Sequence, residues 1–268
     1  MSRLNALHTL PAKLAPASGF WARGKSLVSF YKTGIANVWQ NRRLAASIRE
    51  KYGVASGFEL ARSVLENSHL AKIEKDVLAK EQQRIAVSRD ELLTVLRTEQ
   101  DFRKLPMFVV IFAVCFEMTP LVLWGFPRIA PSTCWSVSYN QKLREKYEVT
   151  RAEIDASGLD GSESVFQLPP ATLRQLAATL DFGHHYRFVP LTQLRHKLGQ
   201  HLMIIRADDA ILRQEQAHLD DLEPEELGKA LMARALPLDG GLDALRRWIV
   251  EFQEPMDAGF LCKNEKKA

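Results

Sequence analysis

Residues 105–126 read LPMFVVIFAVCFEMTPLVLWGF and form a single apolar run in an otherwise polar chain. Seventeen of these 22 residues are apolar, and Glu117 is the only charge between Lys104 and Arg128. As one helix, the run would be about 33 Å long, which is enough to cross a hydrocarbon core of about 30 Å. It therefore predicts one transmembrane helix. The alternative is a buried core helix, although core helices are seldom this long and apolar on every face.

The run contains one carboxylate, Glu117, near its middle. An ionised carboxylate facing lipid costs on the order of 3 kcal/mol. One interpretation is a carboxylate that handles protons or cations in a homo-oligomer, because a single helix cannot enclose a pathway. The other is a neutral carboxyl bonded across helices or to carbonyls freed by Pro120, which removes a backbone donor and kinks the helix.

The N-terminal stretch is basic and free of acidic residues. Its first 49 residues contain eight Lys and Arg side chains and no Asp or Glu. This composition is typical of mitochondrial targeting segments, and residues 1–25 are predicted to be a leader. The alternative is a basic tail that touches anionic lipid or nucleic acid. The mean hydropathy of −0.16 excludes a transporter with many spans.

Helical signals follow one another along the chain. Ser88 and Glu91 form a capping box, Pro190 and Pro224 each open a helix, and leucines recur at i, i+3, i+4 and i+7. Alternating strand patterns are missing from the sequence, so the predicted fold class is all-α. Beyond the leader, the predicted segments are an amphipathic helical region at 26–104, the transmembrane helix at 105–126, an exit loop, helix and linker at 127–164, a helical module at 165–255 and a tail at 256–268.

Basic residues concentrate in the helical module. They are Arg174, Arg187, Arg195, Lys197 and Arg206, and the aromatic residues Phe182, Tyr186 and Phe188 lie among them. Basic side chains interleaved with aromatic ones are typical of contact with RNA or another polyanion. The alternative is an ordinary solvated helix surface.

Metal and catalytic signatures are missing from the sequence. The four histidines of the module (His184, His185, His196 and His201) do not have ligand spacing, and the three cysteines form no CxxC pair. No nucleophile lies in a recognisable elbow. We therefore expect a protein that is not an enzyme and that binds neither a metal nor a cofactor.

Several short motifs resemble the leucine zipper–EF-hand-containing transmembrane (LETM) family. They are Glu117-Met118-Thr119-Pro120, Gly125-Phe126-Pro127, Ala130-Pro131-Ser132-Thr133, the approach from Ser88 to Pro106, Leu202 to Asp209, Leu222 to Leu227, Ala233-Arg234-Ala235 and Leu245 to Trp248. The resemblance covers about residues 26–253. The chain departs from that family in having no leucine-zipper coiled coil and no DxDxDG loop, which argues against calcium sensing through an EF-hand.

The resemblance implies a location and two functions. It implies a protein of the mitochondrial inner membrane whose C-terminal module, helical and 14-3-3-like, lies in the matrix and binds the mitochondrial ribosome. It also implies support of membrane protein biogenesis and of K⁺/H⁺ homeostasis. The expected partners are the ribosome, inner-membrane lipid and a second copy of the chain. An oligomeric cation/proton exchanger that uses Glu117 is the alternative function.

Overall fold

The computed structural model describes residues 20–74, 87–114, 122–123, 126–135, 137–156, 167–182, 186, 188–214 and 216–251. The α-helices in these residues are α1 (Phe20–Tyr52), α2 (Gly57–Glu74), α3 (Arg89–Val114), α4 (Val137–Ala156), α5 (Pro170–Thr179), α6 (Leu191–Gln214), α7 (Pro224–Ala233) and α8 (Gly241–Glu251). Short 3-10 helices occupy Pro127–Ile129, Ser132–Cys134 and Gln216–Asp221. No strand occurs in this described part, and the predicted all-α class is confirmed there.

The chain divides into two compact units. The first unit comprises Met1–Leu60 and Ser88–Lys142, and the second comprises Ala61–Val87 and Leu143–Ala268. Each unit has its own apolar cluster.

Helices α1 and α3 form an antiparallel pair in the first unit. The Tyr52 hydroxyl, at the end of α1, donates a hydrogen bond of 2.8 Å to the Glu91 carboxylate, at the start of α3. Further along, the Tyr31 ring lies 5.8 Å from the ring of Phe108. Residue numbers therefore fall along α1 as they rise along α3.

Local sequence signals begin α3 and end α1 at this end of the pair. Ser88 Oγ accepts a hydrogen bond of 3.3 Å from the backbone N–H of Glu91, and the Glu91 carboxylate accepts one of 3.1 Å from the N–H of Ser88. The predicted capping box is thus confirmed. Helix α1 stops at Gly53, whose φ of 65° suits glycine, and the next N–H, of Val54, returns to the Arg49 carbonyl at 3.0 Å.

The first unit buries aromatic side chains at the far end of this pair. Its cluster consists of Phe30, Tyr31, Phe108, Leu123, Ala130 and Cys134, with Ile35, Phe112 and Trp135 packed at its edge. Residues from both ends of the apolar run thus share one core with α1.

The predicted transmembrane helix is not observed in the described residues. Helix α3 is described as far as Val114, and no helix among the described residues is both long and apolar enough to cross a bilayer. The backbone N–H of Ser132 donates a hydrogen bond of 2.7 Å to the Asp101 carboxylate. The prediction of one helix over 105–126 extends beyond the described residues, because residues 115–121, 124 and 125 lie outside them.

The second unit packs its helices through leucine faces. Its buried core includes Leu173, Leu176, Ala177, Leu194, Leu198, Leu202, Ile205, Leu231, Leu245, Trp248 and Ile249. Most of these are the inward positions that helical spacing predicts. Helix α7 begins at Pro224 and α6 begins immediately after Pro190, as expected for a proline at the first turn.

Several predictions fall outside the described residues. Glu117, Pro120, Arg187, His184 and His185 are among these residues, as are positions 1–19 of the leader, the linker at 157–164 and the tail at 256–268.

Candidate functional site

The exposed face of α3 is apolar in its last two turns. Met107, Val110 and Val114 lie at i, i+3 and i+7 and are 59%, 58% and 78% exposed. Arg103 is exposed one turn earlier on the same face. Exposed valines at such spacing are uncommon in a helix that packs on one side only, because the solvent side is usually polar. Phe126, beyond the helix, is also exposed. We call these exposed residues the α3 apolar face.

Aromatic and cationic side chains lie around the α1–α3 pair next to this face, nearer the N-terminus of α3. The rings of Trp39 and Phe102 meet edge to face at 5.8 Å, and the Arg42 guanidinium lies 3.8 Å from the centre of the Phe102 ring. The Lys104 ammonium lies 5.1 Å from the Trp135 ring. Burial lowers the pKa of Lys104, and the Asp101 carboxylate opposes that shift. We call Trp39, Arg42, Phe102, Lys104 and Trp135 the aromatic–cation belt.

The segment after the apolar run is fixed to α3 and α1 at the level of this belt. The two oxygens of the buried Asp101 carboxylate accept hydrogen bonds from Ser132, one from its backbone N–H at 2.7 Å and one from its hydroxyl at 2.6 Å. The Thr133 hydroxyl donates one of 3.2 Å to the Gly34 carbonyl on α1. We call this set of contacts the Asp101 clamp.

Gly34 leaves room for the clamp. A Cβ placed on Gly34 would lie 2.3 Å from the Cys134 sulfur, well inside van der Waals contact. Burial raises the pKa of the Cys134 thiol to about 12, so this thiol stays protonated at neutral pH. Cys134 therefore packs as an apolar group and does not present a nucleophile.

The predicted basic patch contains arginines with structural partners. Arg174 donates a hydrogen bond of 3.1 Å to the Tyr186 carbonyl, and Arg195 donates one of 3.3 Å to the Leu168 carbonyl. Both guanidinium groups thus tie loops of the second unit to its helices. Lys197 is exposed on α6.

Arg206, on the same helix, is partly buried. Among the described members of the patch, only Lys197 is classed as exposed. The described members of the patch therefore differ in exposure, and two of them bind backbone carbonyls.

A buried charge network lies at the centre of the second unit. The Arg234 guanidinium, 1% exposed, donates hydrogen bonds of 2.6 Å to Asp208 and of 2.6 and 2.9 Å to Asp209. The Trp248 indole donates one of 3.0 Å to the other oxygen of Asp209. Burial raises the pKa of Asp209, and the charge of Arg234 opposes that shift. Such a network holds α6, α7 and α8 in one arrangement, because an uncompensated charge there is costly.

His201 lies beside this network on α6. Its Nε2 is 2.9 Å from the Ala233 carbonyl, so the nitrogen carries the proton, and its ring meets Phe182 edge to face. Burial lowers the pKa of His201, and the nearby positive charge of Arg234 lowers it further. The sequence predicts a surface or packing histidine at this position, and the contacts of His201 with Ala233 and Phe182 give it a packing role.

Charge counting misses this network, although a signal is present in the sequence. Asp209 continues the inward stripe of Leu198, Leu202 and Ile205 at helical spacing. Asp101 likewise lies on the buried stripe of α3. A carboxylate at an inward position requires a partner from another element. In the described part of the chain, no three His, Cys, Asp or Glu side chains group as metal ligands would.

Comparison with protein families overturns the resemblance to the LETM family. The model of the Pentamidine resistance factor domain (PNT1) family matches residues 15–200 of the sequence. This range contains α1, α3, the α3 apolar face and the Asp101 clamp, and it ends before the buried charge network. Neither a curated protein nor a solved structure matches the chain. The LETM-like description is therefore wrong, and the functions that it implied lose that support. Because the match covers more than half of the sequence, the chain belongs to the Pentamidine resistance factor domain family.

Proposed function

We propose that this chain is a non-enzymatic protein of the mitochondrial inner membrane and that its apolar run attaches it to the bilayer. The single observation that carries the proposal is the α3 apolar face. Its valines and methionine are exposed where a packed helix of a water-facing protein would carry polar side chains. Transfer of these partly exposed side chains into lipid contributes on the order of 4 kcal/mol.

Two features support the mitochondrial location. The first 49 residues lack acidic side chains and contain eight basic ones, as targeting segments do. The aromatic–cation belt adjoins the apolar face, and tryptophan beside cations is typical of the boundary between lipid and water. Cations at that boundary favour anionic lipid such as cardiolipin, which points to the inner membrane.

Matched aspartate variants test the proposal. Val110 on α3 and Val149 on α4 are both helical valines, and they are 58% and 63% exposed. Val110→Asp and Val149→Asp therefore each introduce one charge at comparable cost to folding. We expect the full chain to float with inner-membrane vesicles and with phosphatidylcholine–cardiolipin liposomes. Val110→Asp should weaken flotation by about tenfold or more, whereas Val149→Asp should not. A wild-type chain that stays in the soluble fraction overturns the proposal.

Ribosome binding through the basic patch stays a separate prediction. Because Arg174 and Arg195 donate to backbone carbonyls, replacing them would disturb the fold as well as the charge. Lys197 is exposed, so Lys197→Glu changes surface charge alone. Co-sedimentation with mitochondrial ribosomes that is equally strong for wild type and Lys197→Glu would argue against contact through this part of the patch.

Cation/proton exchange through Glu117 also stays a prediction. Its direct test is Glu117→Gln in proteoliposomes. Exchange that is unchanged by the substitution would exclude Glu117 as the carrier of protons or cations.

A further inference from the structure

We propose that the apolar end of α3 enters the bilayer from one side and that the chain returns to that same side by Ser132. This inference rests on the proposed membrane attachment and adds its topology. The surface that contacts lipid is the α3 apolar face, and the occupant is a bilayer with anionic headgroups.

The Asp101 clamp joins the two ends of the apolar segment. The Asp101 carboxylate holds Ser132 at 2.6 and 2.7 Å, and the Gly34 carbonyl holds Thr133 at 3.2 Å. The start and the end of the apolar segment therefore meet at one point on the α1–α3 pair. A segment that crossed the membrane once would place these two points on opposite sides of a core about 30 Å thick.

The aromatic–cation belt indicates where the membrane surface would lie on the α1–α3 pair. Phe102 and Lys104, which contact Trp39 and Trp135 respectively, lie one to three residues from Asp101 on the same helix. Aromatic rings and cations at the level of the clamp mark where headgroups would lie. The described residues 105–114, beyond that level on α3, include no charged side chain.

The length of α3 beyond the belt limits how deeply the helix enters the membrane. From Lys104 to Val114 the helix rises about 15 Å, which is half of a hydrocarbon core. On α1 alongside, Lys32 and Thr33 are exposed. The α3 side of the pair therefore faces lipid and the side with Lys32 and Thr33 faces the headgroups, so the pair lies tilted in one leaflet and about 15 Å is the greatest depth that Val114 reaches.

Charge complementarity selects the occupant. Arg103 lies one turn before the α3 apolar face, and Lys104 and Arg42 belong to the adjacent belt. Apolar side chains bordered by cations match hydrocarbon bordered by phosphate groups, because an anionic membrane surface attracts basic side chains. A protein groove would not require this order of cations, aromatic rings and aliphatic side chains.

Cysteine accessibility in mitoplasts tests the topology. Ala46 on α1 and Gln141 on α4 flank the segment within the first unit, both are exposed, and Val114 ends the described apolar face. Each is replaced by cysteine in the full chain with Cys115 and Cys262 changed to alanine, while buried Cys134 serves as the internal control. A membrane-impermeant maleimide is applied before and after the inner membrane is permeabilised.

We expect Ala46→Cys and Gln141→Cys to become labelled in the same condition. We expect Val114→Cys to react at least about tenfold more slowly than both, because hydrocarbon excludes the reagent. Labelling of the two flanking cysteines from opposite sides overturns the one-sided topology but leaves membrane attachment intact. Rapid labelling of Val114→Cys overturns lipid contact by α3. Failure of the chain to float with the membrane overturns the proposed function itself.

Discussion

The Asp101 carboxylate accepts two hydrogen bonds from Ser132, which lies 31 residues later in the sequence. One comes from the backbone N–H and the other from the hydroxyl, so both carboxylate oxygens are used. Because the carboxylate is buried and the hydrogen bonds are charge-assisted, they are stronger than neutral ones. This contact closes the segment that contains the apolar run.

Asp101→Asn should loosen this closure. The amide can still accept the Ser132 N–H, but its NH₂ group cannot accept the hydroxyl proton. We expect a loss of about 1–3 kcal/mol in the free energy of unfolding, measured by urea denaturation in mild detergent. Glu148→Gln, an exposed change on α4, is the control and should be neutral. Equal midpoints for the two variants would contradict a role for the clamp.

Gly34→Ala should destabilise the first unit by overpacking. The added Cβ would meet the Cys134 sulfur at 2.3 Å, and overpacking of this kind costs about 1–3 kcal/mol. Cys134→Ala removes the sulfur, and the nearest remaining atoms lie at ordinary contact distance. The double variant Gly34→Ala/Cys134→Ala should therefore be more stable than the sum of the two single changes predicts.

Gly199→Ala is the control for this double-mutant cycle. No atom lies within 4 Å of a Cβ on Gly199 in the middle of α6. Alanine is the better helix former, so this change should raise stability by about 0.5–1 kcal/mol. If both glycine changes raised stability, the close contact at Gly34 would be refuted.

Local features of the fold could be predicted from the sequence. The capping box of Ser88 and Glu91 needs only four consecutive residues, and both of its hydrogen bonds form. The leucine stripes of α5 and α6 likewise depend on helical spacing alone, and they form the core of the second unit. Such signals survive because their interactions lie within one or two helical turns.

Long-range pairings could not be predicted in this way. A hydropathy window counts apolar residues, so it assigns one straight helix to residues 105–126 and cannot detect that Ser132 returns to Asp101. Counting charges cannot separate an arginine that holds a backbone carbonyl, as Arg174 does, from one that faces solvent. The family resemblance failed for a related reason, since short proline-bounded and leucine-rich helical motifs fit more than one all-α family.

Arg234→Met should strongly destabilise the second unit. It leaves Asp208 and Asp209 buried without their counter-charge, which costs about 3–5 kcal/mol. Arg246→Met is the matched control, because Arg246 pairs with Asp220 at the surface, where such a pair contributes less than about 1 kcal/mol. Urea unfolding followed by far-ultraviolet circular dichroism measures both. Similar effects of the two arginine changes would contradict the importance of the buried network.

His201 should make stability depend on pH. Burial lowers the pKa of this imidazole below its ordinary value of 6.5, so the folded chain resists a proton that the unfolded chain accepts. The stabilisation is complete above the unfolded pKa of about 6.5 and is lost as pH falls below it towards the lowered pKa of the folded chain, with a slope of up to about 1.4 kcal/mol per pH unit.

Histidine variants on one helix test this slope. His201→Gln keeps a donor for the Ala233 carbonyl and removes the titration, so its unfolding free energy should change less between pH 7 and 5.5 than that of wild type. His196→Gln alters an exposed histidine of α6 and should retain the wild-type slope. Because carboxylates titrate mainly below this window, the difference between wild type and His201→Gln isolates the imidazole. Parallel pH curves for wild type and His201→Gln would show that this histidine is as easily protonated in the folded chain as in the unfolded one.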